Sequence, residues 1–146
     1  MQILSLIYRL AVAFWVGGVA LFTFVLTPVI FKVNDRDTAG KIVGTLFPGY
    51  FRWGLVWGAA ALVSLLILRE KNIVVPLVIL LVMLSFTAFQ AFFIEPRIAE
   101  LKKGIPSFVN TPKDDPLRKA FSRLHAISAV CNLTVFAGGV VLVILL

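Results

Sequence analysis

The chain has 146 residues, of which 60% are hydrophobic and 14% charged, with a single cysteine and a formal net charge of +7. A soluble domain is about 45–50% apolar and about 25% charged, and one of this size has too much surface to hide so many apolar side chains. The composition therefore excludes a soluble enzyme, a disordered tail and a disulfide-stabilised secreted protein, and it predicts one small integral membrane domain.

Four apolar stretches follow one another along the chain, each close to the roughly 20 residues that a helix needs to cross a bilayer. None shows the regular alternation of a transmembrane β-strand. The sequence predicts an all-α fold, an antiparallel integral membrane four-helix bundle formed by the single domain 1–146. The predicted spans are residues 3–30, 48–68, 73–95 and 119–146.

The three connectors differ in kind. Lys32–Lys41 is predicted to be a short polar loop, and Arg69–Asn72 a tight turn. The third connector, about Arg97–Lys119, contains three prolines. Its first part is predicted to prolong the third helix until Gly104 ends it, so that this connector is partly helical.

The distribution of cations predicts the orientation of the chain. Three lysines and arginines lie in the first connector and seven between Arg97 and Arg123, against only Arg69 and Lys71 in the second connector. The positive-inside rule therefore places the first and third connectors in the cytoplasm and both termini outside, in the cell (inner) membrane. Cations between apolar runs, without a solvated face of stacking aromatics, predict the lipid bilayer and not nucleic acid as a partner.

Polar and ionisable side chains in membrane spans are costly, so each needs a partner, a cavity or a function. His125, Ser128 and Asn132 share one helix face at positions i, i+3 and i+7, and the predicted topology brings three span ends together there. Glu95 would need Arg52, Arg97 or Arg123 beside it to stay ionised when buried. The residues predicted to converge in one polar site are Tyr50, Arg52, Gln90, Glu95, Arg97, Arg123, His125, Ser128 and Asn132.

These features also have structural interpretations. Long arginines near an interface commonly reach lipid phosphates, and a carboxylate beside an arginine is more often an ion pair than a proton relay. Ser128 and Asn132 are typical of hydrogen bonds between helices. Gly54 and Gly58 form a GxxxG pattern, which indicates close helix packing and offers one contact for a homo-oligomer.

Catalytic and metal-binding motifs are missing from the sequence. It contains no Gly-rich phosphate loop, Ser/His/Asp set, HExxH or CxxC, and its one histidine is His125. We therefore predict no catalytic residue, no metal site, no cofactor and no enzymatic activity.

Three segments carry a family resemblance: Leu46–Phe51 (LFPGYF), Ile94–Arg97 (IEPR) and 115–133, which contains the pattern R-x-H-x-x-S-x-x-x-N. Together they resemble the transmembrane protein 205-like family, a membrane domain of unknown function. The chain departs from that family in its shorter third connector and in Ala126, where glycine is common. The resemblance implies four helices and a membrane location. The association of its eukaryotic member with platinum-drug resistance further implies export or trafficking.

Three hypotheses for function are open at this point. The first is a non-enzymatic membrane protein with a cytoplasm-facing polar site that binds or transports a small solute or ion. It would act as a homo-oligomer, because four helices are few to enclose a pathway. The second is a structural or assembly protein whose polar residues only hold the helices together. The third is a haem or copper protein in which His125 supplies one ligand and a second subunit the other.

Overall fold

The structure is a computed structural model that describes residues 1–68 and 72–146. Within this part of the chain all regular structure is helical, which confirms the predicted all-α fold. Four helical rods are each long and apolar enough to cross a membrane, and we call them the first to fourth spans. They are Gln2–Val33, Arg36–Leu68, Val74–Lys103 and Pro116–Ile144.

Each span packs against the next along the chain, and the first also packs against the fourth. Because successive rods run back along one another, neighbours are antiparallel, as in an up-and-down four-helix bundle. The predicted architecture is therefore confirmed. Residues 69–71 of the predicted tight turn lie outside the described residues.

Large side chains fill the centre of the bundle, and Trp15 is the largest of those that are fully buried. A Cβ atom built on Gly54 would lie 2.9 Å from Trp15 Nε1, and one built on Gly58 would lie 2.6 Å from Trp15 Cζ3. The two glycines thus let the second span approach the Trp15 indole of the same chain. This use of the GxxxG pattern is internal, so it does not provide the contact between copies that the sequence allowed.

The first and third spans each contain a π-helical segment, Leu21–Leu26 and Gln90–Ile94. Each segment comes just before a proline, Pro28 or Pro96. Proline has no amide hydrogen and its ring clashes with the carbonyl four residues earlier, so a regular α-helical ladder cannot run through it. Wider π turns accommodate such an interruption and often occur at functional sites.

The predicted polar loop at Lys32–Lys41 is wrong. The first span runs to Val33 and the second begins at Arg36, so only two residues lie outside the helices. Asp35 caps the second span by accepting hydrogen bonds from the Thr38 amide (3.0 Å) and hydroxyl (2.6 Å). These bonds lower the pKa of the Asp35 carboxyl below its ordinary value. The cap starts the second span twelve residues before the predicted position 48, with Pro48 inside the helix.

The third connector is folded against the start of the second span. The third span continues to Lys103 and Gly104 follows it, as predicted. Beyond it, the Ser107 hydroxyl and the Phe108 amide both donate to the Asp37 carboxylate, each at 2.6 Å. These bonds hold the connector over the charged end of the bundle.

Candidate functional site

A cavity of about 200 Å³ lies between the spans, toward the charged end of the bundle. We call it the inner cavity. Aromatic and aliphatic side chains form most of its wall, and neutral polar groups from all four spans complete it. Its lining residues are Phe22, Thr23, Thr27, Phe47, Tyr50, Phe51, Gln90, His125, Ser128, Ala129, Asn132 and Leu133.

Asn132 joins three spans at the wall of the inner cavity. Its side-chain oxygen accepts a hydrogen bond from the Tyr50 hydroxyl on the second span. Its Nδ2 donates to Thr23 Oγ1, at 2.7 Å, on the first span. One amide on the fourth span therefore holds the neighbouring first span and also the second span, across the bundle.

Gln90 links the third span to the fourth. Its side chain is only 2% exposed, and its Oε1 accepts a hydrogen bond from Ser128 Oγ at 3.0 Å. Across the described residues, every fully buried side-chain nitrogen and oxygen has a hydrogen-bond partner. Five polar side chains of the cavity wall are thus paired with one another, as low-dielectric surroundings require: Thr23, Tyr50, Gln90, Ser128 and Asn132.

The inner cavity lies near one boundary of the membrane. At a rise of about 1.5 Å per residue, Tyr50 is about 27 Å from the apolar end of its span at Leu68, and Ser128 is about 24 Å from Ile144. The hydrocarbon layer is about 30 Å thick, whereas the spans are about 44–50 Å long. A layer that begins at the apolar ends therefore finishes close to the inner cavity, and the charged end projects beyond it.

A second cavity, of about 170 Å³, adjoins the first and shares Thr27, Phe47 and His125 with it. We call it the basic cavity, because Arg36 and Lys102 line it and no Asp or Glu does. Lys102 Nζ donates to the Gly40 carbonyl at 3.0 Å. This leaves donors on Lys102 free, since an ammonium group has three hydrogens.

A third and larger cavity, of about 620 Å³, adjoins the basic cavity on the charged side. We call it the outer cavity. Both signs of charge line it, with Asp37 and Glu95 beside Lys41 and Lys102. Half-buried Glu95 interacts electrostatically with Lys102, which lines both cavities. The three cavities form a continuous series from the charged end of the bundle to Gln90.

The series ends beyond Gln90. The next chamber has a volume of only about 10 Å³, and Trp15, Gly54 and Thr87 are among its walls. Past it lie fully buried apolar side chains, including Leu65 and Leu80. The single chain thus has a dead-ended recess, open toward the charged end and closed toward the apolar end.

The inner cavity also opens sideways between the first and fourth spans. Leu133 lines the cavity and is 49% exposed, and its neighbours Ala129 and His125 are exposed as well. The start of the first span, up to Ala20, packs against the fourth span, whereas its last part, Thr27–Val33, packs on the second. The two spans therefore diverge at this level, where the bundle surface faces lipid.

The structure brings five of the nine predicted site residues to the inner cavity: Tyr50, Gln90, His125, Ser128 and Asn132. Glu95 lies apart from them, in the outer cavity.

The three predicted arginines lie elsewhere. Arg52 is exposed and donates to the Pro48 carbonyl of its own helix at 3.2 Å. Arg97 and Arg123 are exposed and line none of the three cavities. Over residues 1–68 and 72–146, the recorded ion pair joins Lys103 and Glu100, so the predicted pairing of Glu95 with an arginine is wrong. The three arginine side chains are exposed, whereas Lys102, two helical turns along the same span from Glu95, lines the outer cavity with it and interacts with it electrostatically.

Sequence reasoning missed Thr23, Arg36 and Lys102 as lining residues. Two threonines four residues apart, immediately before Pro28, are a signal that could have identified the first of them. Arg36 was assigned to a loop and Lys102 to the connector, and both are helical.

Among the described residues, no group of three or more His, Cys, Asp and Glu side chains could hold a metal ion. Cys131 is buried and lines none of the three cavities. His125 lies parallel to the Phe121 ring, with 5.9 Å between the ring centroids.

Comparison with known proteins identifies a protein family of unknown function. A family model described as "Domain of unknown function (DUF4149)" matches residues 10–106, which is more than half of the chain. An "Uncharacterized protein" of Aquifex aeolicus (strain VF5) is 39% identical over 44 residues, which are 30% of this chain and 33% of the relative. The matched part thus spans about a third of that relative's length. No solved structure matches the chain.

Proposed function

The chain belongs to the DUF4149 family of domains of unknown function, and we propose that it is a non-enzymatic membrane protein that binds a small solute in the inner cavity. One observation carries the proposal. Four spans surround a recess of about 200 Å³ at the membrane boundary, and the recess continues through two further cavities to the charged end. A protein that needed only to hold its helices together would pack this volume with side chains.

Binding is proposed in preference to passage through a single chain. The recess narrows to about 10 Å³ at Trp15 and ends against the apolar core. Transport would therefore require this core to open or several copies to form a pathway between them. A binding site that faces the cytoplasm needs neither change.

The resemblance to the transmembrane protein 205-like family supports the same location for the site. The LFPGYF segment contributes Phe47, Tyr50 and Phe51 to the inner cavity, and the IEPR segment contributes Glu95 to the outer cavity. The R-x-H-x-x-S-x-x-x-N pattern contributes His125, Ser128 and Asn132, although these residues lie beyond the part matched by the family model.

Filling the inner cavity tests the proposal directly. Ala129→Leu places a larger apolar side chain at the cavity wall and removes none of the hydrogen bonds of Asn132 or Gln90. We expect the wild-type protein to retain a small molecule in native mass spectrometry after gentle detergent purification, and the variant to lose it by about tenfold or more. The same sample gives an absorbance spectrum and metal analysis, which would reveal a haem or copper held by His125.

Ala126→Leu is the matched control, because the same change is made on the same span outside the three cavities. It should retain the small molecule at the wild-type level. A clean apo-protein in all three samples, with or without added extracts of membrane and cytoplasm, would contradict the proposal.

The proposal also requires the charged end to face the cytoplasm, which labelling can test. Asn110 and Asn72 are exposed and lie at opposite ends of the bundle, in the third connector and before the third span. In a Cys131→Ala background, we expect Asn72→Cys in intact cells to react with a membrane-impermeant maleimide. Asn110→Cys should react only after the membrane is opened. The reverse pattern would place the recess on the outside and overturn the orientation.

A structural role is the second candidate, and the pairing of the polar groups with one another favours it. Tyr50, Asn132 and Thr23 satisfy their hydrogen bonds without any ligand. This candidate predicts that Ala129→Leu and Ala126→Leu behave alike in every binding measurement.

A further inference from the structure

We propose that the ligand is an amphiphile with one anionic headgroup, a carboxylate or a phosphate, attached to an uncharged chain. This inference rests on the proposed function and names the class of molecule that the same recess takes. The headgroup occupies the basic cavity, and the first part of the chain occupies the inner cavity.

The charges of the basic cavity select an anion. Arg36 and Lys102 line it, whereas the acidic residues Asp37 and Glu95 line the outer cavity, from which Glu95 interacts electrostatically with Lys102. The Arg36 guanidinium makes no hydrogen bond or ion pair with any described residue, and Lys102 spends one donor on the Gly40 carbonyl. Free guanidinium and ammonium donors in a half-enclosed site bind carboxylate and phosphate strongly.

The inner cavity selects an uncharged and mainly apolar group. Phe22, Phe47, Phe51 and Leu133 provide apolar surface, and no lysine, arginine or acid lines this cavity. Most of its polar side chains are already hydrogen-bonded, Ser128 to Gln90 and Asn132 to both Thr23 and Tyr50. A second charged group would be desolvated here without a counter-charge, which is costly.

The lateral opening identifies the source of the ligand as the bilayer. Exposed Ala129 and Leu133 line the inner cavity on the side where the first and fourth spans diverge. This opening is at the depth of the hydrocarbon boundary, and the basic cavity lies beyond it, at the level of the lipid headgroups. A molecule that enters from the membrane can therefore keep its chain in apolar surroundings while its headgroup reaches Arg36 and Lys102.

The volumes agree with a ligand of this kind. Cavities of about 200 and 170 Å³ adjoin at Thr27, Phe47 and His125. Together they fall within the range of about 300–1,000 Å³ that small-molecule sites occupy. This volume accommodates a headgroup and the beginning of a chain, and the rest of the chain extends into the bilayer.

Two lipids with the same chain and different headgroups test the proposal. Oleoyl lysophosphatidic acid carries an anionic phosphate monoester, and oleoyl lysophosphatidylcholine carries a zwitterionic headgroup. We expect the purified full-length protein to bind the first at least about tenfold more tightly than the second in a native mass spectrometry titration. Arg36→Gln and Lys102→Gln should each weaken lysophosphatidic acid binding by about tenfold and weaken lysophosphatidylcholine binding much less, because choline offsets the charge of its phosphodiester.

Arg97→Gln is the control for loss of one positive charge, because Arg97 is exposed near the same membrane boundary and lines none of the cavities. It should retain wild-type binding. The exposed Arg36 side chain makes no hydrogen bond or ion pair with any described residue. Arg36→Gln is therefore expected to fold normally and to remain a valid test even if Lys102→Gln, which removes the bond to the Gly40 carbonyl, loosens the packing there. Equal binding of the two lipids by the wild type would overturn the proposal. So would an Arg36→Gln protein that binds lysophosphatidic acid normally.

Inorganic phosphate distinguishes a lipid from a free anion. Phosphate that binds as tightly as lysophosphatidic acid would show that the chain contributes nothing, and the amphiphile would be rejected. If neither lipid binds but another small molecule is lost in Ala129→Leu and kept in Ala126→Leu, this inference fails and the proposed function stands. If Ala129→Leu and Ala126→Leu bind every species alike, the proposed function fails and this inference fails with it.

Discussion

Replacing Trp15 by alanine is expected to lower the free energy of unfolding by about 3–5 kcal/mol, the usual cost of removing a large aromatic side chain from a packed core. Trp15 is 1% exposed and packs against the Gly54 and Gly58 surface of the second span. Two glycines cannot extend into the space that the indole leaves. The cavity therefore persists, and the protein loses the dispersion contacts that the indole made. The hydrophobic effect does not compensate for this loss, because lipid tails are as apolar as the core.

Phe93→Ala is the matched control for this prediction. Phe93 is 70% exposed, and its ring lies 5.9 Å from that of Phe89 on the same helix. Its loss should therefore change the free energy of unfolding by less than about 0.5 kcal/mol. Both variants would be unfolded by sodium dodecyl sulfate in mixed micelles and followed by circular dichroism. Equal destabilisation of the two variants would show that Trp15 is not packed as described.

Asn132→Leu is expected to have the second largest effect, a loss of about 1–2 kcal/mol in the free energy of unfolding. The change leaves the Tyr50 hydroxyl and Thr23 Oγ1 without the partner that each has on the fourth span. No lipid group in the hydrocarbon layer can take the place of the lost partner. Since Asn132 also lines the inner cavity, the variant should also bind the small molecule more weakly than the wild type does.

Thr134→Val provides a control on the same helix. The Thr134 hydroxyl donates to the Val130 carbonyl of its own helix at 2.9 Å and joins no second span. Its replacement should be nearly neutral for unfolding and for binding. If Asn132→Leu and Thr134→Val have the same free energy of unfolding, the role assigned to Asn132 is contradicted.

A double-mutant cycle with Tyr50→Phe isolates the hydrogen bond between Tyr50 and Asn132. Once Asn132 is leucine, removing the Tyr50 hydroxyl should cost less than it does in the wild type, because its partner is already gone. Costs that simply add would show that the two side chains do not stabilise each other. Loss of binding without such coupling would favour a binding role for Asn132 over a purely structural one.

Part of the candidate site could be predicted from the sequence because it follows from helix geometry. His125, Ser128 and Asn132 recur on one face of a long helix, and Tyr50 and Gln90 lie near the corresponding ends of their predicted spans, 48–68 and 73–95. Polar residues at one level of a bundle pack together, since lipid cannot satisfy them. The structure does bring these five side chains to one cavity.

The arginines show where this reasoning failed. Arg52, Arg97 and Arg123 lie at the right level along their spans, but level alone does not decide which way a side chain points. Lys102 was passed over because it follows the predicted membrane boundary, yet it lines two of the three cavities. Its partner Glu95 could not be assigned from hydropathy, because hydropathy carries no information on helix rotation.

The sequence by itself determined the membrane class, the four spans and the gathering of cations at one end. Each of these depends on the total hydropathy or charge of consecutive residues. A stretch that is apolar over the thickness of the bilayer forms a span, and cations stay on one side because moving charge across the bilayer is costly. Only the tertiary structure decided where the helices begin, how they turn and what they enclose. The Asp35 cap and the π-helical turns before Pro28 and Pro96 are local events that set the rotation of whole spans. That rotation, with the divergence of the first and fourth spans, determines which polar groups meet and leaves the recess beside them unfilled.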